Sequence, residues 1–304
     1  AIGSASLDAI TTGDHNTAVG YSAGGVITTG YDNVILGDYA GDAIIGGYRN
    51  VIAGYAAGSA MTDNYYNVVL GYRAMDVASG GEHYNIAIGN DALGSENSNA
   101  EYCVAIGDQA LALQNANVKN TAIGGLAGAE LVGGTANTLI GYQAGNQLDA
   151  NETNNTFIGH DAGSNADGAE YNTIIGAGAG GTGVITGNDN VLVGVNAGED
   201  LTDSYGNVLI GRSAGTNMTT GNYNVAIGFE AAVTMSGNSD HNIAIGYQAL
   251  YTENNAADNC IAIGREALKL QNNNSVNLAI GKNAGATITS GTKNVLIGHE
   301  AGST

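Results

Sequence analysis

"NVILGDYAG", Asn33–Gly41, is followed 17 residues later by "NVIAGYAAG", Asn50–Gly58. The shared frame is Asn, an apolar triplet, Gly, two free positions, Ala and Gly. It returns as "NTLIGYQAG" at Asn137, "NTFIGHDAG" at Asn155, "NVLIGRSAG" at Asn207 and "NVLIGHEAG" at Asn294. The glycine that closes the triplet recurs every 17 or 18 residues from Gly3 to Gly298, giving 18 units in 304 residues. Three residues later comes Ala in every unit but the first, which has Ser6. A fixed period over a whole chain marks a repeat architecture.

The unit is too short for a helical hairpin, and its triplet is aliphatic or β-branched with glycine punctuation. Both features predict one coil of an all-β parallel β-solenoid, a β-roll with almost no α-helix. Stacked at about 4.8 Å per coil, 18 coils predict a single continuous domain over 1–304, roughly 85 Å long.

Successive strand residues face opposite sides, so the middle triplet slot points away from its two neighbours. That slot holds Ile35, Ile52, Leu139, Phe157, Leu192 and Leu209 among others, and the flanking slots are apolar as well. One face can line the coil, and the other needs a cover. Self-association is the simplest cover, and the middle residues are assigned here to the partner-facing side.

A second apolar position follows the repeated Ala by four residues, as at Ile27, Ile44, Met61, Leu131, Leu148, Leu201, Met218 and Ile288. Turn chemistry then returns the chain, so each coil reads as two short strands and two turns. Four coils instead carry Leu directly after that Ala (Leu93, Leu111, Leu250, Leu268), with Glu96, Gln114, Glu253 and Gln271 in the later slot. The variants recur nine units apart. "CVAIGDQALALQN" at Cys103 and "CIAIGREALKLQN" at Cys260 are thus equivalent coils of two nine-coil super-repeats, about 1–147 and 148–304.

Asn occupies the first motif slot in 15 of the 17 complete units, including Asn16, Asn33, Asn50, Asn67, Asn137, Asn207, Asn224 and Asn294, and Cys takes the other two. This predicts a ladder of stacked amides along the coils. The Gly slot predicts a corner needing positive φ or close backbone approach. The Ala slot predicts a narrow interior. Nine coils separate the cysteines by roughly 43 Å, beyond disulfide reach. His15, His83, His160, His241 and His299 are scattered and suggest neither a triad nor a zinc site.

The position after the repeated glycine varies widely and is predicted to face solvent. Tyr21, Tyr55, Tyr72, Tyr142 and Tyr247 stand there, and Tyr66, Tyr84, Tyr102, Tyr171 and Tyr223 precede the Asn slot. Such tyrosines are candidates to stack on a glycan or protein receptor, or simply to cover turns. The turns "NADGAE" and "TGNDN" could hold Ca²⁺ with their oxygens, although neither has the EF-hand or nonapeptide spacing. No other cofactor is expected.

Composition excludes several classes. The chain has 49 Gly, no Pro, no Trp, 8 Lys plus Arg, and a net charge of −20. That balance argues against nucleic acid and against anionic membrane surfaces. No apolar run approaches the roughly 18 residues of a membrane helix, so no membrane insertion is expected. The chain begins inside a motif at "AIG" and ends at "AGST". It is therefore expected to be a window from a longer protein.

"NVAIG", "NIAIG" and "NTAIG" resemble the head repeats of trimeric autotransporter adhesins, and similar repeats occur in phage and viral tail fibres. The resemblance implies a left-handed β-roll in which three chains join through one apolar face. This chain's 17–18-residue coil and regular Ala-Gly are departures from that pattern. A hexapeptide acyltransferase helix fits "IGYQAG" but not the following "NQLDAN" and "ETNNTF". An ice-binding solenoid needs a regular Thr array that is missing. The expected function is a non-enzymatic extracellular fibre or adhesin segment on a cell surface or virion. The alternative is a purely structural filament or surface-layer component.

Overall fold

The computed structural model describes residues 1–78, 81–95, 100–115, 119–149, 152–235, 237, 239–252, 258–272 and 276–303. Glu96 and Glu253 lie outside the described residues. Among the described residues there is no helix, and 17 three-residue strands are all parallel. The chain is an all-β parallel β-solenoid. It divides into two units, 1–153 and 154–304.

In the first unit eight strands run from Thr17–Val19 to Thr138–Ile140, each paired in parallel with the next. The register never slips: Thr17 pairs with Val34, Val34 with Val51 and Val51 with Val68. The opening "AIG" joins through a single bridge from Ile2 to Val19. The second unit repeats the pattern with nine strands from Thr156–Ile158 to Val295–Ile297.

The repeat glycines explain the constant register. Gly71 has φ +141°, a conformation that L side chains rarely adopt. A Cβ there would also stand 2.2 Å from the carbonyl oxygen of Gly89 in the next coil. Gly211 repeats the geometry in the second unit, with φ +136° and 2.3 Å to the Gly228 oxygen. Glycine thus meets both demands at once, positive φ and coil-to-coil backbone contact. On either side of the strand and this corner the chain bends through left-handed residues. In the coil of Gly54 these are Arg49, Ala56 and Gly58, with φ of 55°, 52° and 57°.

The asparagines form the second column. Asn33 donates its backbone N–H and Nδ2 to Asn16 Oδ1 (3.0 and 2.9 Å), and Nδ2 also to Gly47 O (2.8 Å). Asn50 and Asn67 repeat these contacts on the preceding asparagine. In the second unit Asn207 bonds to Asn190, and Asn224 to Asn207. Asn137 N–H reaches Asn120 Oδ1 at 2.8 Å, and Asn294 N–H reaches Asn277 Oδ1 at 2.9 Å. Buried amides with satisfied donors are a structural device, because an unpaired one costs about 1–3 kcal/mol.

Cys103 sits in this column, buried and outside any disulfide, with its N–H on Asn85 Oδ1. Its thiol cannot replace an amide. Gln114, from the same coil, supplies the missing groups: Nε2 donates to Cys103 Sγ (3.2 Å) and Oε1 accepts from Asn120 Nδ2 (3.0 Å). In the second unit Gln271 Oε1 accepts from Asn277 Nδ2 at 2.7 Å. Both glutamines thus take up the next asparagine's Nδ2, but the Gln271 Nε2 is buried without a hydrogen-bond partner, so the bond to the cysteine is made only at Cys103.

Two expectations are corrected. The middle triplet residues Ile35, Ile52, Leu139, Phe157, Leu192 and Leu209 are fully buried inside their own coils and cannot meet a partner chain. Outward instead point the first and third slots, such as Val34 and Leu36. The parity is fixed by the interior, which the middle slot shares with the repeated Ala and the later apolar slot; Ala40 and Ile44 are equally buried. The second correction concerns the later apolar slot, which lies in irregular backbone directly after the turn rather than in a second strand. Single cross-coil bonds hold that side, such as Thr28 N–H to Ile45 O at 3.0 Å.

Gly71→Ala is expected to lower stability by about 3 kcal/mol, from strained φ and overpacking together. Gly168 has φ +85° but open space around its Cα, so Gly168→Ala should cost only about 1 kcal/mol. Denaturant midpoints of the two variants check the comparison.

Candidate functional site

Each coil shows solvent the outward face of its strand, framed by two edge columns. One edge is the residue before the Asn slot, and the other is the residue after the repeated glycine. The face itself is mostly aliphatic, with Thr in the first slot at Thr17, Thr121, Thr138, Thr156 and Thr173. Val34, Leu36 and Val51 are 39–41% exposed in the first unit, and Ile280, Val295 and Ile297 are exposed in the second. In the second unit Ile261, Leu278 and Val295 line a shallow groove of about 290 Å³, with Asn259, Val276 and Lys293 along its edge.

The tyrosines singled out after the glycine are exposed: Tyr21, Tyr55, Tyr72 and Tyr142 in the first unit and Tyr247 in the second. Tyr21, Tyr55 and Tyr72 join one aromatic run through Tyr39, which meets Tyr55 edge-on at 5.9 Å, and Tyr247 belongs to a separate pair in the second unit. Tyr55 stacks on Tyr72 (centroids 5.6 Å apart), Tyr21 meets Tyr39 edge-on (5.3 Å), and Tyr247 stacks on Phe229 (5.6 Å).

The larger aromatic cluster lies at the other edge of the first unit, and half of it was not anticipated. Tyr31, Tyr48 and Tyr65 stack at 4.8 Å intervals, and His83 continues the column on Tyr65. Beside them Tyr66, Tyr84 and Tyr102 form a second stack with centroids 5.2 and 5.0 Å apart. The signal for the first column was present, since Tyr31, Tyr48 and Tyr65 recur at one slot of consecutive coils.

Local backbone geometry produces these stacks. Tyr66, Tyr84 and Tyr102 have φ of 57°, 60° and 61°, a left-handed conformation that costs roughly 1–2 kcal/mol per residue. Each N–H is held by the preceding coil, as in Tyr66 N–H to Tyr48 O at 3.2 Å. The rings then project side by side at one coil spacing. Arg49 closes one end: its guanidinium lies over Tyr31 (5.8 Å) and Tyr66 (5.4 Å), bonds the Tyr66 hydroxyl and pairs with Asp32 at 3.4 Å. Those bonds to Tyr66 and Asp32 hold its pKa above the ordinary value.

Faces stacked on one another cannot also stack on a sugar. The cluster therefore offers ring edges and hydroxyls, and it shields the turns beneath. The histidines are dispersed as well. His15 lies 3.4 Å from Asp32, His160 2.9 Å from Asp161 and His299 3.7 Å from Glu300, all exposed surface pairs. His241 stacks on Tyr223. In the two oxygen-rich turns, Asn165 donates to Gly181 O (3.0 Å) and Asn188 Oδ1 accepts the Glu170 N–H (2.8 Å). These amides bind turn to turn.

Compared with known protein families and with curated proteins, the chain matches none of them.

His83 gives the aromatic cluster a pH dependence. Burial pushes its imidazole below the ordinary value of 6.5, and Glu101 pulls weakly the other way. The unfolded chain then binds the proton more readily than the folded one, so stability falls as pH drops through that value. The thermal midpoint should fall between about pH 7.5 and about pH 5.5, and His83→Phe should remove that part of the fall. Melting curves of both proteins across that range provide the check.

Proposed function

We propose that this chain is a non-enzymatic segment of an extracellular fibre, of the adhesin or tail-fibre kind, in which three copies associate through the outward faces of their strands. The observation that carries the reading is the mostly aliphatic double row formed by the first and third triplet slots. Burying such rows against other copies is worth about 25 cal/mol per Å² of apolar surface removed from water. The resemblance of the "NVAIG" frame to trimeric adhesin heads supports the same stoichiometry. The interface residues are Val34, Leu36, Val51 and their equivalents, in place of the buried middle slots.

The side chains of the repeat have structural duties, which favours a scaffold over an enzyme. Glycines make corners, asparagines the ladder, and alanines the narrow core. A trimer would carry about −60 in charge, which keeps an assembly with apolar seams soluble and opposes lateral bundling. Exposed edge residues would then provide attachment to a surface glycan or protein.

Sedimentation velocity in dilute buffer should show a trimer. Replacing Val34, Leu36 and Val51 together by Lys should yield a folded monomer with an unchanged circular dichroism spectrum. Leu139→Ala should lower stability by about 2–5 kcal/mol while leaving the stoichiometry intact. A wild-type chain that sediments as a stable monomer would overturn the reading.

A further inference from the structure

The charge of the chain is unevenly placed. Residues 1–204 hold 3 of the 8 Lys and Arg against 22 of the 28 acidic residues. Residues 205–304 hold the other 5 cations against 6 acids. Three of those five, Arg212, Arg265 and Lys282, stand in one slot, the position after the repeated glycine. Between them in that slot come Phe229 and Tyr247, and His299 follows.

The structure turns this slot into an ordered column. The Arg212 guanidinium lies over the Phe229 ring (5.8 Å to the centroid) and Phe229 stacks on Tyr247 at 5.6 Å with planes 6° apart. Arg265 covers the far face of the pair, 5.5 Å from the Tyr247 centroid. Backbone bonds pin the column at coil spacing: Glu230 N–H to Arg212 O, Gln248 to Phe229, Glu266 to Tyr247, Asn283 to Arg265 and Glu300 to Lys282, all 2.8–3.0 Å. Guanidinium groups held over rings lose less freedom on binding an anion, and their planar N–H fork suits bidentate contact.

The column is also electrically available. Arg73, in the first unit, has Asp76 at 2.7 Å and Asp91 at 3.9 Å, and Arg49 is paired with Asp32. By contrast, Arg212 and Lys282 form no ion pair among the described residues. Arg265 has only a 3.6 Å contact with Glu266, a carboxylate that lies 3.5 Å from Lys269 as well. Of the other carboxylates beside the column, Glu230 accepts a hydrogen bond from Gln248 at 2.7 Å and Glu300 lies 3.7 Å from His299.

We propose that the Arg212–Phe229–Tyr247–Arg265–Lys282 column binds a carboxylated or sulfated polysaccharide laid along the coils. Charge spacing selects this ligand. Arg212 and Arg265 are three coils apart, about 14 Å, and Lys282 is one coil further, at about 4.8 Å per coil. Duplex DNA, with one charge per about 1.7 Å, would place far more negative charge beside an acidic chain than these cations offset. A polymer with an occasional carboxylate or sulfate matches them, and its sugar C–H groups can rest on the exposed ring edges. Carboxylate and sulfate both accept the paired N–H groups of arginine.

This names a ligand class for the attachment role inferred above and draws its biological meaning from that reading, whereas the binding itself needs no self-association. The test measures binding of the full chain to immobilised hyaluronan, heparin and dextran at about 0.15 M salt, with single-stranded DNA as competitor. Wild type should bind hyaluronan or heparin, the better of the two identifying carboxylate or sulfate, and should not bind dextran. Replacing Arg212, Arg265 and Lys282 together by Ser should weaken binding by at least about tenfold. Phe229→Ala combined with Tyr247→Ala should also weaken it, and Arg73→Ser should not. Circular dichroism and sedimentation of every variant should match wild type. If wild type is monomeric yet still binds, the column stands without the fibre. Failure to bind either acidic polymer overturns the proposal, as does equal binding to dextran or DNA, or equal loss with Arg73→Ser. A change of stoichiometry in the Ser variant also overturns it, because the column would then face another copy of the chain.

Discussion

Within each unit, coil rests on coil where a glycine Cα comes up against the carbonyl of the following repeat glycine. A methyl group there would sit about 2.1–2.6 Å from backbone atoms, inside any permitted contact. The contact can form only when each coil returns the chain to the same place one spacing further on. Every other regularity follows from that return: strands pair residue for residue, and each side chain meets the equivalent side chain of its neighbours. A residue type thereby becomes a column, and the chemistry of the molecule is a chemistry of columns.

Inside the coils the columns share one narrow interior. Many large middle residues share it with a large later slot, as Ile35 does with Ile44 and Leu139 with Leu148, but the bulkiest, Phe157, is matched by a small one. Phe157 lies beside Gly163, where a Cβ would come within 2.6 Å of the ring, and the later slot of that coil is Ala166. Where Leu111 or Leu268 follows the repeated Ala, the middle slot is Ala105 or Ala262 and the later slot is a glutamine. With apolar volume supplied elsewhere, that later slot is released for polar work. Gln114 uses it to carry hydrogen bonding past Cys103 to Asn120, and Gln271 to accept from Asn277. Volume and hydrogen bonding are therefore adjusted together, which explains why Cys, Ala, Leu and Gln travel together in both echoing stretches.

Outside the coils the same stacking yields different surfaces in the two units. The first unit has tyrosine columns closed by an arginine already paired with aspartate. The second has an arginine–phenylalanine–tyrosine–arginine column whose cations are sparsely paired. The scaffold is identical at both places. What differs is which residues occupy slots that face solvent, and these are the slots the coil geometry leaves free to vary.

The sequence by itself determined the period, and with it the parallel coils, the glycine corners, the asparagine ladder and the absence of helix among the described residues. Each depends on a residue type recurring at a constant interval, and an interval is visible in one dimension. Which face of the triplet turns inward was decided only by the tertiary structure. Alternation allows two parities, and with Val, Ile and Leu on both faces, as at Val34, Ile35 and Leu36, hydrophobicity does not choose between them. The choice comes from the shared interior, where the middle slot must fit beside Ala40 and Ile44, residues five and nine positions further along the chain. The reciprocal sizes of Phe157 and Ala166, or of Ala105 and Leu111, were written in the sequence throughout. They read as packing partners only once those residues are known to share one space.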